Sequence, residues 1–242
     1  MNLSVRDTAG LLKVSEKTIY RWIKQQTIPA YRVQDQYRFN RAEILEWATS
    51  RRLNVSSEIL AEPETEGQPV PSLLDALEAG GVFYRLSGAD KEGVLSEVVA
   101  QLRLPDEVDR GFLLRVLLAR EAIAPTAVGD GVAIPHVRNP IVLHVERPMV
   151  TLCFLERPIE YGALDGKPVG MLFTIISPTT RAHLHLMSKL AFVLRDQGVR
   201  EAIDRQESRL DILRQIGRAE RELATADARV PSGAGSASAR PG

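Results

Sequence analysis

His136 is the side chain in this sequence whose neighbours suggest reactivity. It follows the short apolar run 132–134 and Pro135, so its backbone is expected to be fixed at the end of a strand. Gly129 and Gly131 lie just upstream and allow another group to approach the backbone closely. A neutral imidazole, with an ordinary pKa of about 6.5, is a nucleophile near neutral pH. Taken alone, a histidine in such a place is more often an ordinary surface or hydrogen-bonded residue, and that alternative stays open.

Two more histidines, His183 and His185, lie near the start of a predicted helix. Unpaired amides at a helix N-terminus bind anions, so this pair would have backbone donors close by. Helix capping is the alternative role for His183. The apolar side of the helix consists of Leu184, Met187, Leu190, Ala191 and Leu194.

The histidines belong to a long region, residues 72–226, in which helical and strand-like patterns alternate. Periodicity predicts helices over 72–79, 91–102, 106–119, 182–195, 201–206 and 209–224, and strands over 81–86, 149–155 and 170–176. Interleaved elements of this length predict an α/β domain, in which a sheet is flanked by helices.

A shorter, basic unit precedes this region. Residues 1–53 hold ten basic and five acidic side chains, although Lys+Arg and Asp+Glu are equal, at 31 each, over the chain. A local excess of positive charge predicts an anionic partner for this unit alone. Two short helices fit residues 4–24, with Ser4 and Ser15 as N-caps. A third helix is predicted over 41–50, where Ile44, Leu45 and Trp47 would be buried.

The exposed side of the second helix carries cations, short polar groups and an aromatic ring. A DNA major groove accepts such a surface, because cations bind phosphates and polar groups bind base edges. Between the second and third helices, residues 31–39 alternate on a period of two around a turn at Asp35-Gln36, which predicts a hairpin, or wing. A solvated basic face used for protein contacts is the alternative. The predicted DNA-binding residues are Lys17, Thr18, Tyr20, Arg21 and Lys24 on the helix and Arg32 and Arg38 on the wing.

Residues 2–50 resemble the excisionase/MerR-like winged helix-turn-helix family. The residues that carry the likeness run, in order, Leu3-Ser4-Val5, Ala9, Leu12, Val14-Ser15, Thr18-Ile19-Tyr20-Arg21-Trp22-Ile23, Ile28-Pro29-Ala30, Arg38-Phe39, Ile44 and Trp47. The resemblance implies a mainly helical domain that contacts DNA through its second helix and its wing. Asp35-Gln36 departs from the family, which often has glycine and a basic residue at the wing turn, and this departure weakens the expected contact between the wing and the DNA backbone.

Residues 72–222 resemble the fructose/mannitol/nitrogen-regulatory branch of enzyme IIA of the bacterial sugar phosphotransferase system. Three motifs occur in the family's order: Arg120-Glu121, then Gly129-Asp130-Gly131-Val132-Ala133-Ile134-Pro135-His136, then His183-Leu184-His185-Leu186-Met187-Ser188-Lys189-Leu190-Ala191. By position, the resemblance makes His136 the phosphorylated histidine, Arg120 the active-site arginine and His183 the second active-site histidine. His185 takes that last role if the register is shifted.

The implied chemistry suits these residue types. Phosphorylated imidazole is a good leaving group, and an arginine with a second imidazole N–H would stabilise the negative charge of the transferred group. No cofactor is implied beyond the phosphoryl group on His136. The implied protein is a histidine phosphocarrier rather than an independent turnover enzyme.

The sequence divides into two domains, a linker and a tail. We expect a winged helix-turn-helix domain over 1–53, an acidic, proline-containing linker over 54–71, an enzyme IIA-like α/β domain over 72–226 and a disordered tail over 227–242. A single cysteine, Cys153, excludes an internal disulfide. With no signal peptide and no run long enough to span a bilayer, we expect a cytoplasmic protein without membrane insertion.

The leading hypothesis is a transcriptional regulator in which a DNA-binding module is coupled to a phosphorylatable domain. The expected partners are an HPr-type phosphocarrier and double-stranded DNA; a IIB component or a regulatory protein is a further candidate. A IIA phosphocarrier of a sugar permease is the alternative, and a domain that serves only as a docking platform is a third. Modules of this size usually bind DNA as dimers, which leaves a homodimer open.

Overall fold

The architecture comes from a computed structural model. It describes residues 2–33, 36–51, 53, 71–137 and 145–228. We call residues 2–53 the head and residues 71–228 the C-terminal domain. The predicted linker, except for Pro71, lies outside the described residues, as does the predicted tail after residue 228.

The head is a small helical domain closed by a three-stranded sheet. Its elements are β1 (Asn2–Leu3), α1 (Val5–Leu11), α2 (Glu16–Lys24), β2 (Tyr31–Val33), β3 (Gln36–Asn40) and α3 (Arg41–Ser50). Both predicted caps form: the Ser4 side chain accepts from the Asp7 amide, and the Ser15 side chain accepts from the Thr18 amide. The antiparallel sheet has the order β1-β3-β2. Ile19, Phe39 and Ile44 are fully buried at the centre of the head.

The wing turn differs by one residue from the prediction. Val33 pairs with Gln36, so Gln36 belongs to β3 rather than to the turn. The two residues between the strands lie outside the described part of the chain. The alternation of side chains predicted the hairpin, but a polar stretch carries too little pattern to fix its register.

The C-terminal domain alternates helices and strands as predicted. Its elements are α4 (Leu73–Gly80), β4 (Gly81–Leu86), α5 (Lys91–Gln101), α6 (Arg110–Ile123), β5 (Ala127–Gly129), β6 (Val132–Ala133), β7 (Met149–Ile159), β8 (Val169–Ile176), α7 (Thr180–Val193), α8 (Gln197–Asp204) and α9 (Arg209–Ala228).

A five-stranded mixed sheet, of order β4-β7-β8-β6-β5, separates two apolar cores. Successive residues of β7 supply the two cores in turn, because side chains of a strand alternate between faces. Leu152 and Phe154 pack with α4, α7, α8 and α9, whereas Cys153 and Leu155 pack with α5 and α6. The domain is therefore a sheet covered by helices on both faces.

Several boundaries differ from the predicted ones, and side-chain caps explain two of them. α6 starts at Arg110 instead of residue 106, because the Asp109 side chain accepts from the Phe112 amide at 2.8 Å. α8 starts at Gln197 instead of residue 201, because Asp196 accepts from the Val199 amide at 2.9 Å. α9 continues to Ala228, two residues into the predicted tail. Within the described ranges, no helix is long and apolar enough to cross a membrane.

Candidate functional site

His136 is held beside the sheet with one ring nitrogen engaged. Val132 and Ile134 face the core under α7, and since side chains alternate, His136 points the same way. A parallel bridge to Ile175 of β8 continues the path of β6, and the Ile175 amide donates to the Pro135 carbonyl at 3.1 Å. The ring is 3% exposed.

The hydrogen bond of the His136 ring fixes its tautomer. Nδ1 lies 2.7 Å from the Ile134 carbonyl oxygen. A carbonyl can only accept, so Nδ1 carries the proton and donates it to this bond. In the neutral ring, the lone pair is therefore on Nε2. The hydrogen bond to the backbone thus leaves Nε2 as the ring nitrogen that carries the lone pair.

His183 is the histidine that the fold brings to His136. The two ring centroids are 5.1 Å apart, with the ring planes tilted by 43°. His183 lies in the first turns of α7, which is capped by Thr179 accepting from the Ala182 amide at 3.1 Å. It is 2% exposed. The pair is therefore shielded from water.

His185 lies elsewhere, because two residues along a helix correspond to a rotation of about 200°. Its electrostatic neighbours are Lys189, Glu220 and Arg181. Burial, helped by the positive charge of Lys189, lowers the pKa of His185 to about 4, so this ring is neutral at physiological pH. The geometry favours His183 over His185 as the partner of His136.

Arg120 lies in the last turn of α6 and lines the same cavity as His136. This cavity has a volume of about 360 Å³, and Thr126, Ile134 and Met187 are also in its walls. Arg120 Nη1 donates to the Ala124 carbonyl at 2.8 Å, so the side chain folds back over the loop between α6 and β5. The three predicted site residues thus lie in one region, with Arg120 tied to the loop.

Glu121, next to Arg120, holds that loop from inside. Its carboxylate is buried and accepts from the Thr126 amide at 3.1 Å, from the Thr126 hydroxyl, and from Lys91 Nζ at 3.3 Å. The sequence motif contains Glu121, but sequence reasoning assigned it no role. The signal that could have revealed it is the acidic residue in an otherwise apolar helix face beside Leu117, four positions earlier.

The turn between β5 and β6 needs its glycines. Gly129 and Gly131 adopt φ of 86° and 73°, and Asp130 between them adopts 49°. Such positive values favour glycine, so a side chain at either outer position would strain the hairpin that leads to His136. Lys167 Nζ pairs with the Asp130 carboxylate at 2.9 Å. Asp130 is therefore a turn residue.

The predicted DNA-binding residues of α2 share one surface with a single exception. Lys17, Tyr20, Arg21 and Lys24 are exposed. Thr18 is half-buried, and its hydroxyl lies 3.0 Å from the Ser15 hydroxyl at the helix cap. Thr18 therefore takes part in capping α2 as well as lying near the surface.

The two wing arginines do not form one surface. Arg32 pairs across the hairpin with Tyr37, and Arg38 pairs with Tyr31. Cross-strand partners share a face and neighbours along a strand alternate, so the arginines lie on opposite faces. Arg32 lies on the side of Tyr37, whose ring contacts Tyr20 of α2 with centroids 6.3 Å apart. Arg32 is thus the wing arginine that adjoins the α2 surface.

The cavity beside His136 is also lined by the head, which the sequence did not predict. Pro29, Tyr31, Glu43 and Trp47 complete its wall. α3 packs against α7 and β5 of the C-terminal domain. The cavity beside His136 is therefore lined by both domains.

Comparison with known proteins identifies both parts of the chain. Residues 76–218, more than half of it, match the model of the phosphoenolpyruvate-dependent sugar phosphotransferase system EIIA 2 domain, and residues 3–52 match a helix-turn-helix domain. The nitrogen regulatory protein of Pseudomonas aeruginosa is 32% identical over 131 residues, covering 52% of this chain and 82% of that protein. The fructose-specific EIIA component of Haloferax volcanii is 36% identical over 103 residues, covering 42% and 65%.

The fold agrees with these matches. The crystal structure of nitrogen regulatory protein IIA-Ntr from Neisseria meningitidis aligns with a TM-score of 0.53 at 25% identity, over 60% of this chain and 98% of that one. Both resemblances drawn from the sequence motifs are thereby confirmed. The chain belongs to the phosphotransferase system EIIA 2 family and carries a helix-turn-helix domain ahead of its EIIA domain.

Proposed function

We propose that this chain is a phosphotransferase-system regulator of the cytoplasm, in which an EIIA domain phosphorylated on His136 is coupled to a DNA-binding head. The observation that carries the proposal is the arrangement of His136. Its Nδ1 is bonded to the Ile134 carbonyl at 2.7 Å, which leaves Nε2 as the nucleophile, and the His183 ring lies 5.1 Å away.

Phosphoryl transfer at this site would need no cofactor, because the bonds and charges of the step balance between the two histidines. The Nε2 lone pair of His136 attacks the phosphorus of a phosphohistidine on an HPr-type carrier. A new P–N bond forms as the carrier's P–N bond breaks, and its electron pair returns to the carrier's imidazole. That imidazole leaves neutral because its other ring nitrogen is already protonated, so the positive charge passes from the carrier's ring to the ring of His136, which becomes a phosphoimidazolium. The Ile134 carbonyl, accepting from Nδ1–H, stabilises the positive charge that develops on the ring.

Arg120 and His183 would stabilise the negative charge of the transferred phosphoryl group. Transfer of a phosphoryl group depends mainly on positioning and on electrostatic stabilisation. The Arg120 guanidinium lines the cavity of His136 and would turn from the Ala124 carbonyl toward a phosphoryl oxygen. A ring N–H of His183 would donate to another oxygen. Both residues thus stabilise charge that is absent before the donor arrives.

DNA binding by the head is supported by its exposed cations. Lys17, Arg21 and Lys24 project from α2, with Arg32 of the wing beside them. This surface fits the phosphates of double-stranded DNA, with the polar and aromatic groups available to bases.

Two measurements on the full chain test the proposal. Incubation with a phosphorylated HPr-type carrier should label the wild type and not His136→Ala. Mobility-shift titration with a pool of random-sequence duplex should show binding at low salt and an affinity that differs between the phosphorylated and unphosphorylated chains. If neither the phosphorylated nor the unphosphorylated chain shifts the DNA, the proposed regulatory function is contradicted.

A IIA phosphocarrier for a sugar permease is the second candidate, favoured by the likeness to the Haloferax volcanii fructose component. It predicts onward transfer from His136 to a IIB component and the same DNA affinity with and without phosphate. The titration above separates the two functions. Analytical ultracentrifugation with and without DNA would test a homodimer.

A further inference from the structure

The head is packed over the part of the EIIA domain that contains His136. α3 contacts both α7, which carries His183, and β5, which leads to His136. At the end of the head, Arg195 Nη2 donates to the Leu53 carbonyl at 2.9 Å. The contact between the domains therefore lies beside the proposed phosphoacceptor.

The space left in front of His136 is too small for a protein donor. Its volume is about 360 Å³, and Tyr31, Glu43 and Trp47 of the head also line it. A reacting atom must come within about 3–3.5 Å of its target, and a stable protein contact covers about 800 Å² of each partner. A carrier cannot cover this surface while the head does.

We propose that the head covers His136 and must move away before a protein donor can phosphorylate it, and that phosphate on His136 then keeps the head away. This inference rests on the proposed acceptor role of His136 and adds its regulation. The head and the carrier thus compete for one face of the EIIA domain.

The charge of the cavity wall explains why phosphate on His136 would keep the head away. The Glu43 carboxylate lines the cavity, and the Tyr31 hydroxyl donates to its Oε2 at 2.6 Å, which keeps it in place. A phosphoryl group adds about −1.5 to −2 charge. The phosphoryl group and the Glu43 carboxylate would then face the same cavity, where their like charges repel each other. Re-docking is therefore disfavoured once His136 is phosphorylated.

The covered arrangement leaves the DNA-binding surface open. Lys17, Tyr20, Arg21 and Lys24 are exposed while α3 contacts the EIIA domain. The contact therefore covers His136 without covering α2, so phosphorylation would change DNA affinity by freeing the head and adding negative charge rather than by uncovering α2.

Two phosphoryl donors of different size test the cover on the full chain. The donors are a phosphorylated HPr-type carrier and phosphoramidate, a small molecule that fits the cavity. Two variants weaken the contact between the domains. Trp47→Ala changes the side of the contact that belongs to the head, and Arg195→Glu changes the side that belongs to the EIIA domain. Both should raise the rate with the carrier about tenfold or more, since an open state populated at about 10% or less reduces the apparent rate by that fraction. Rates with phosphoramidate should stay within about twofold of wild type. This small donor reaches His136 while the head is docked, so its rate does not depend on the fraction of molecules in the open state.

Arg205→Glu is the matched control for the charge reversal. Arg205 is exposed, and its ion pairs are to Glu201 and Glu207 within the EIIA domain. This variant should behave as wild type with both donors. If Trp47→Ala also unfolds the head, the carrier should still gain access to His136. The predicted rise in rate therefore holds whether the variant weakens the contact or unfolds the head.

Spin labels follow the movement of the head directly. With labels on Gln25→Cys and Glu97→Cys, both exposed, pulsed EPR should give one narrow distance distribution before phosphorylation and a broad one after it. Adding Glu43→Gln, which keeps the shape and removes the charge, should keep the distribution narrow.

The outcomes separate the two proposals. Equal rates with the carrier in wild type, Trp47→Ala and Arg195→Glu would overturn the cover and leave the acceptor role intact. An unchanged distance distribution after phosphorylation would overturn the release. No phosphate on His136 from either donor would refute the acceptor role and the cover with it.

Discussion

Replacing Glu121 with alanine removes the carboxylate that holds the loop between Arg120 and the strand leading to His136. Glu121 is 5% exposed and Thr126 is 4% exposed. The change leaves the Thr126 amide and hydroxyl buried without this acceptor, at about 1–3 kcal/mol each. Lys91, the third donor, keeps about a quarter of its side chain in water and can be rehydrated. The expected loss is about 2–5 kcal/mol of unfolding free energy.

Equilibrium urea unfolding measures this loss. Far-UV circular dichroism follows mainly the larger domain, whereas tryptophan fluorescence follows the head, because Trp22 and Trp47 are the two tryptophans of the chain. The dichroism midpoint of Glu121→Ala should fall by about 1–2 M urea at an ordinary dependence on denaturant. Glu107→Ala, which removes an exposed carboxylate, should stay within about 0.5 kcal/mol of wild type. A loss for Glu121→Ala no larger than that of the control would refute the reasoning.

Three further variants test other parts of the structure. The folded-state pKa of His185, about 4, is below its unfolded value, so the unfolded chain binds more protons as the pH falls from about 6.5 to 4. Wild-type stability should therefore drop by about 2–3 kcal/mol across that window, and a drop of the same size in His185→Leu would contradict the assignment. Burial alone would raise the pKa of the Glu220 carboxyl, but hydrogen bonds from an ammonium group and two backbone amides lower it. Glu220→Gln should accordingly cost about 1–3 kcal/mol near pH 7, and the difference from wild type should vanish as the pH falls through the folded pKa in acid-unfolding curves. Arg21→Ala should reduce the salt dependence of DNA binding by about one unit of slope in anisotropy titrations against KCl, while Arg205→Ala should not; equal slopes would place Arg21 outside the interface.

The sequence predicted the local features of the fold well, because neighbours along the chain determine them. Ser4 and Ser15 both act as caps, as their positions before apolar repeats suggested. The start of α6 was missed by four residues, since Asp106 and Asp109 are both acceptable caps and only tertiary packing selects the second. The wing turn was shifted by one residue for the same kind of reason.

The sequence predicted which residues form the candidate site, but it did not predict the groups that surround them. The motifs named His136, His183 and Arg120, and the fold brings them to one region. The hydrogen bond to the Ile134 carbonyl depends on how the chain bends after β6, which no spacing reveals. The wall formed by Trp47 depends on packing between two domains separated by a linker. Contacts of this kind join residues far apart in sequence, so no local pattern predicts them.

Nitrogen-resolved NMR of the phosphorylated chain tests the central claim most directly. After transfer from a carrier to protein labelled with ¹⁵N-histidine, phosphorus coupling should appear on Nε2 of His136, while Nδ1 keeps its proton toward the Ile134 carbonyl. His183→Ala should slow the transfer by about 100-fold without moving the phosphate, whereas His185→Ala, the same change on the other side of α7, should leave the rate near that of wild type. Phosphate on Nδ1, on another histidine or on none would contradict the account.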